Sequence, residues 1–448
     1  MDKTLHAPPS LISRLMRGAV LTGGNFVLSQ ALRFGSNLIL ARLLFPDAFG
    51  LMALVTMILF GLTMLSDAGI QQSIMQNARG DDPDFLNTAF TLNVLRGGLL
   101  WLLACAMAWP AAHLYDAPEL LAVLPVCAVS LLLAGLAPMR IYTSERHIRL
   151  GYVTLVQLLA HVAGISVMIV LAWATGSYWA MVWGTVAAAG VKLTLEWAFI
   201  PGPSSRLRWE GAAARDLLRF GGWIMLSSGF GFLLAQGDRA ILGYFFSLAD
   251  LGLYNIAWFL AAFPVLLMQA LTEKMLIPAY RESLAASGGQ NSARLRRIRY
   301  LLTATVMAML TVMALIGPVL IGFLYDDRYL MAGPMIVLIS CAQLLPLVSA
   351  TYPHAALARG ESRRFFWLTA FRAITQSALF LAGFLLMGLP GAMAGQALAA
   401  VAVYPAVVRL ARHTGVWDKT HDMIFYAVAL GIIALALVVH AGTLGALL

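Results

Sequence analysis

The chain has 448 residues, of which 60% are hydrophobic and only 11% charged, with a mean hydropathy of +0.81. Soluble domains carry about 25% charged residues, so the composition excludes an ordinary soluble protein and points to a membrane one. The formal net charge of +9 sits mostly in short loops between apolar runs, not in basic tracts interleaved with aromatics, which argues against a nucleic-acid partner.

Thirteen apolar runs are long enough to cross a bilayer: approximately 18–44, 48–70, 86–112, 119–139, 149–172, 178–199, 217–245, 251–275, 300–324, 332–356, 365–387, 390–411 and 422–446. They predict helices, because a backbone facing lipid must satisfy its hydrogen bonds internally. Barrel strands need only about ten residues, far fewer than these runs. Lys3, Arg14 and Arg17 precede the first run without a small-residue cleavage site, so the first helix is expected to be retained. Arg140, Arg146, Arg149, Arg206, Arg208, Arg215, Arg294, Arg296, Arg297, Arg359, Arg363, Arg364 and Lys419 fall in alternate loops. The remaining loops carry mainly acids such as Asp47, Asp116 and Asp250. The positive-inside rule then places the N-terminus and the even-numbered connections in the cytoplasm.

Several spans carry polar residues at membrane depth. In the first, Asn25, Ser29, Arg33 and Asn37 repeat at steps of four and share one helical face. A charge there costs about 3 kcal/mol or more, so Arg33 is expected to face an aqueous cavity or a paired acid. Asp67, one turn after Thr63, is a candidate ion or proton site, or a partner for Arg33 or Arg96. Arg96, near Asn93, either lines a cavity or reaches the interface. His161 beside Gln157 reads as a packed histidine, and Lys192 with Glu196 as an i,i+4 pair. The seventh span carries Ser227, Ser228, Gln236, Asp238 and Arg239. Asp238 is a second candidate for ion coupling, with a structural ion pair as the alternative. Arg239 lines the cavity or snorkels. In the eleventh span Thr369, Arg372 and Gln376 share a face. The cysteines at 105, 127 and 341 lie in apolar runs and show no ligand spacing, and no nucleophile, P-loop or metal-protease motif is present, so no cofactor is expected.

An internal repeat organises these spans. Phe49-Gly50-Leu51 opens the second and Leu251-Gly252-Leu253 the eighth, about 200 residues later. The predicted fold is an all-α polytopic membrane protein. Two six-helix bundles, 1–212 and 213–413, would be related by a pseudo-two-fold axis along the membrane normal, with one additional C-terminal transmembrane helix in 414–448. A site is then expected between the bundles.

The runs Ala31–Ile58, Asp67–Gln76 and Gly237–Val265, with Leu276-Ile277-Pro278-Ala279-Tyr280, resemble those that open the two halves of Wzx-type oligosaccharide flippases. These belong to the multidrug/oligosaccharidyl-lipid/polysaccharide exporter superfamily. The resemblance covers about residues 15–410. It implies a bacterial inner-membrane flippase that moves undecaprenyl-pyrophosphate-linked glycan units to the periplasmic leaflet for exopolysaccharide, capsule or O-antigen synthesis. A polysaccharide polymerase and a chain-length regulator are the partners it implies. The expected substrate-binding set is Arg33, Asn25, Ser29, Asn37, Arg96, Arg239, Arg372 and Gln376, with Asp67 and Asp238 as coupling residues. A lipid II flippase or a drug/cation antiporter of the same superfamily are the alternatives, and a membrane scaffold is the reading outside transport.

Overall fold

The computed structural model describes residues 11–66, 69–147, 149–272, 276, 280 and 293–445, and their side chains except at 11–23, 25, 26, 150 and 218–227. The described residues form helices joined by short connections, with no strand among them.

The chain divides into two compact units, Met1–Ser228 and Gly229–Leu448. The first contains α1 (Leu11–Leu43), α2 (Pro46–Leu65), α3 (Ile70–Gln76), α4 (Pro83–Leu114), α5 (Leu120–Gly135), α6 (Arg140–Arg146), α7 (Leu150–Thr175) and α8 (Trp179–Phe199). Helix α9 (Gly211–Phe245) carries the chain from one unit into the other. The expected bundle boundary at 212/213 lies at the start of α9, whereas the division falls inside it. The second unit continues with α10 (Leu248–Leu271), α11 (Ala293–Leu324), α12 (Ala332–Ser349), α13 (Pro353–Ala358), α14 (Ser362–His413), α15 (Lys419–Val439) and α16 (Ala441–Leu444).

Among the described residues, eight helices are long and apolar enough to cross a membrane, or nine if the bent pair α5 and α6 is one span. Two of the thirteen expected runs, 365–387 and 390–411, fall in the single 52-residue element α14. The break between them is at Met387 and Gly388. Gly388 has φ 61°, a left-handed conformation that costs glycine nothing and an ordinary residue about 1 kcal/mol or more.

In the first unit α4 packs along α5, α7 along α8, and α1 against α7. The α4–α5 approach is set by glycine: a Cβ on Gly97 would stand 2.8 Å from Gly135 Cα. Lipid is as apolar as leucine, so membrane helices gain by backbone proximity of this kind. In the second unit α12 is the central helix, almost wholly buried against α10, α11, α14 and α15. The repeated tripeptides occupy the same register: Phe49 is the fourth residue of α2 and Leu251 the fourth of α10. Both are buried.

Candidate functional site

The structure places the expected site residues in four settings. Arg33 lies on α1, and its carbonyl accepts from Ser36 Oγ at 3.0 Å. Its guanidinium has no carboxylate partner among the described residues and lies within electrostatic reach of His161 on α7, as does Lys192 on α8. Ser29 and Asn37 are half-buried on the same helix. Arg372 on α14 likewise has no carboxylate partner among the described residues, and it acts on His354 of α13. Gln376 is one turn further along α14 and half-buried. Thus the neighbours that feel Arg33 and Arg372 are basic or neutral groups.

Arg96 is half-buried and tethered. Its Nε donates to Ser66 Oγ at 3.1 Å and its Nη2 to the Thr63 carbonyl at 3.0 Å, at the end of α2. It lines a cleft of about 220 Å³ with Thr63, Gln71, Gln72, Asn93 and Tyr142. Asn93 is committed to the helix break: its Nδ2 donates to the carbonyls of Ala134 and Gly135 at the end of α5, where the chain bends into α6.

Arg239 is buried and has its own partners. Its Nη1 donates to Gln236 Oε1 at 2.8 Å, its Nε to Asn255 Oδ1 at 3.3 Å, and its guanidinium carbon lies 4.1 Å from the Trp258 ring centroid. The adjacent Asp238 turns to α10 instead, where it accepts from Tyr254 Oη at 2.7 Å. Neighbouring helix positions are about 100° apart, so the two side chains serve different partners. The side chain of Asn25 and the whole of Asp67 lie outside the described residues. Lys192 and Glu196 pair at 3.7 Å.

Two polar clusters have no counterpart in the sequence reading. At the end of the first unit, Arg79 grips Glu210 and Asp82, and these contacts hold both carboxyls below the usual carboxylate range. Alternate backbone N–H groups of the segment before α9, at Arg206, Arg208 and Glu210, donate to Asn87, Thr91 and Thr88 on α4. In the second unit, buried Asp422 accepts from Tyr352, His421, Tyr404 and Trp417. His421 bridges on to Thr303 of α11, and Arg296 pairs with Asp418 at 2.9 Å. The signal for this cluster was present in Asp418, His421 and Asp422 at the head of the last span. Thr303 and Arg296 both lie more than a hundred residues from their partners, beyond what spacing reveals.

Among the described residues no group of three or more His, Cys, Asp or Glu is placed to hold a metal ion. The helical fold is similar to that of an inward-facing multidrug resistance MATE family transporter of the MOP superfamily, with a TM-score of 0.65 at 15% identity over 89% of this chain and 95% of that one. It is also similar to the inward closed conformation of the lipid II flippase MurJ, with a TM-score of 0.62 at 10% identity over 93% and 99% of the two chains. Eight or nine apolar helices in this fold, with cationic side chains inside them, define a multi-pass membrane protein. The profile of one family, described as polysaccharide biosynthesis protein, matches residues 39–334, and the chain belongs to that family. It is 22% identical to the teichuronic acid biosynthesis protein TuaB of Bacillus subtilis (strain 168), over 63% of this chain and 59% of that protein. It is 21% identical to the succinoglycan biosynthesis transport protein ExoT of Rhizobium meliloti (strain 1021), over 77% and 69% of the two chains.

Proposed function

We propose that the chain flips undecaprenyl-pyrophosphate-linked oligosaccharide units from the cytoplasmic to the periplasmic leaflet of a bacterial inner membrane. The N-terminus is cytoplasmic in this reading, and transport proceeds by alternating access. The observation that carries it is the state of Arg33, Arg96 and Arg372: three guanidinium groups in apolar helices with no carboxylate partner among the described residues. Cations kept at membrane depth without a resident counter-ion suit an anionic cargo. A drug/cation antiporter would need acids in those places.

The chemistry of the cargo fits. A sugar–pyrophosphate head loses water on leaving either leaflet, and each unpaired polar group costs several kcal/mol in hydrocarbon. Guanidinium forks replace the phosphate hydration bidentately. Ser29, Asn37 and Gln376, with Asn25, offer hydrogen bonds to hydroxyls. Asp238 is the coupling residue of this reading, because Tyr254 takes one carboxylate oxygen and the other has no hydrogen-bond partner among the described residues. Asp67 is the second candidate. A membrane potential supplies about 2.3 kcal/mol per charge per 100 mV to such a step. Membership of a polysaccharide biosynthesis family and the likeness to a transport protein of that class support a glycan cargo over lipid II.

Arg33→Ala and Arg372→Ala should each abolish polymer export in the native host while the protein stays at wild-type level in the membrane. Undiminished export from the double variant removes the proposal. Export that survives collapse of both proton and sodium gradients removes the coupling step alone.

A further inference from the structure

Helix α14 folds back at Gly388, and its two ends meet within the second unit. Arg359, just before α14, donates from Nη1 to the carbonyl of His413, its last residue, at 3.2 Å. His413 Nε2 pairs with Glu361 at 3.1 Å, and Arg364 pairs with the same carboxylate at 3.3 Å. Each half of α14 carries an exposed apolar face that ends in arginine at this junction. On the first half Arg363, Trp367, Phe371 and Ile374 are exposed at steps of four, four and three, and so share one face. Thr369, Arg372 and Gln376 stand two, five and nine positions from Trp367, on the opposite side of a 3.6-residue helix. On the second half Leu398, Val401, Pro405, Arg409 and Arg412 are exposed at steps of three, four, four and three. Arg363, Arg409 and Arg412 have no carboxylate partner among the described residues, and the Arg412 guanidinium lies 4.1 Å from the Trp417 ring centroid. The contrast with the first unit is plain: there Arg79, Arg146 and Arg208 are taken by Glu210, Asp81 and Asp84.

We propose that the joined ends of α14 hold an anionic phospholipid, with its phosphate against Arg363, Arg409 and Arg412 and its acyl chains along the apolar faces beneath them. Exposed guanidinium groups present forked donors to phosphate oxygens, and the one acid at the junction is already shared by Arg364 and His413. The patch therefore carries a net positive charge that an anionic headgroup complements, whereas a zwitterionic lipid brings its own cation. Hydrocarbon, not a soluble phosphate, suits the faces through Phe371 and Ile374 and through Leu398 and Val401. Trp367, one turn from Arg363 and 63% exposed, sits where an indole ring marks the boundary between headgroups and chains. Basic loops hold topology by bulk charge alone. This patch differs because the contacts of Arg359 and Glu361 with His413 fix arginines from opposite ends of one element beside each other. The proposal is independent of what the chain transports.

Native mass spectrometry of the full chain in detergent tests it, by titration with dioleoyl phosphatidylglycerol and, separately, with dioleoyl phosphatidylcholine. The wild type should retain one phosphatidylglycerol about tenfold or more tightly than phosphatidylcholine. The triple variant Arg363→Ala, Arg409→Ala, Arg412→Ala should lose that preference, because one arginine near an anionic headgroup is worth a factor of about five. A control triple, Arg149→Ala, Arg206→Ala, Arg215→Ala, removes the same charge from exposed positions of the first unit and should keep it. If the first triple does not fold, Arg363→Ala and Arg409→Ala singly carry the test, each with a loss of about fivefold. Equal binding of the two lipids by the wild type overturns the proposal. So does an equal loss in both triples, which would mean bulk charge rather than this patch. Undecaprenyl phosphate, added as competitor, should leave the phosphatidylglycerol in place. Displacement at a lower concentration than phosphatidylglycerol itself requires would give the patch to the prenyl carrier and overturn the proposal too. The titration involves no transport, so a failed export assay at Arg33 and Arg372 leaves it standing, and its own failure leaves the cargo standing.

Discussion

Arg79 holds Glu210 through two parallel hydrogen bonds of 2.8 Å, Nη1 to Oε1 and Nη2 to Oε2, across 131 residues of chain. The same guanidinium reaches Asp82, the N-cap residue of α4, through Nε and Nη2. One side chain therefore joins the start of α4 to the last residue before α9. With the three side-chain acceptors on α4 that take the N–H groups of Arg206, Arg208 and Glu210, it straps this segment to the first unit.

Arg79→Ala should loosen that strap. Amide exchange at 206–210 is expected to rise by about tenfold or more, since a bidentate Arg–carboxylate pair fixes geometry that two separate solvated groups do not. Exchange in α12, which lies in the other unit, should be unchanged. Equal protection of 206–210 in variant and wild type would show that the α4 side chains suffice alone.

The strap also has an acid limit. The hydrogen bonds from Arg79 lower the carboxyl pKa of both Glu210 and Asp82 in the folded chain. A lowered folded pKa means that the contribution is full above the unfolded carboxylate value of about 4 and is lost as pH falls through the folded one. Protection at 206–210 should be flat from about pH 8 to 5 and fall below about pH 4. In Glu210→Gln the acid step should shrink. An onset above about pH 5 would show that these two carboxylates do not set the step.

Asp422 anchors α15. Its two carboxylate oxygens accept from Tyr352, His421, Tyr404 and Trp417, and it is 2% exposed. Asp422→Ala leaves four donors without their acceptor, two of them on the buried Tyr352 and His421, and should destabilise the second unit by about 3 kcal/mol or more, read as a lower midpoint of thermal unfolding in detergent. Asp422→Asn keeps one oxygen and should cost less. A wild-type midpoint for Asp422→Ala would mean that water replaces the carboxylate.

Gly97 faces Gly135 so closely that an added methyl overlaps backbone, whereas its neighbour Gly98 has nothing within 4 Å. Gly97→Ala should cost about 1–3 kcal/mol by forcing α4 from α5, with a lower unfolding midpoint and loss of the cleft at Arg96. Gly98→Ala should be neutral or slightly stabilising, because alanine is the better helix former. Equal midpoints for the two variants would deny that this close approach holds the first unit together.

Much of the fold was legible in the order of residues. Runs of apolar residues set the helices, and the glycine-centred tripeptides at Phe49–Leu51 and Leu251–Leu253 fell at the same turn of α2 and α10. The candidate site was legible as residue types at membrane depth, but not as partnerships. Arg239 reads like Arg33 in the sequence, yet the structure gives it Gln236, Asn255 and Trp258, while Arg33 has no carboxylate among the described residues. Gln71 and Gln72 carry no signal in a polar turn until α6 and α4 close around them.

Hydrophobic length, charge placement and period are local properties, and they alone determined that this is an all-helical membrane protein with cationic side chains in its spans. Which of those cations are spent on neighbours, and which acid clamps α15, were decided only by tertiary structure. Hydrogen bonds act over about 3 Å, and residues more than a hundred positions apart reach that distance only when the helices pack.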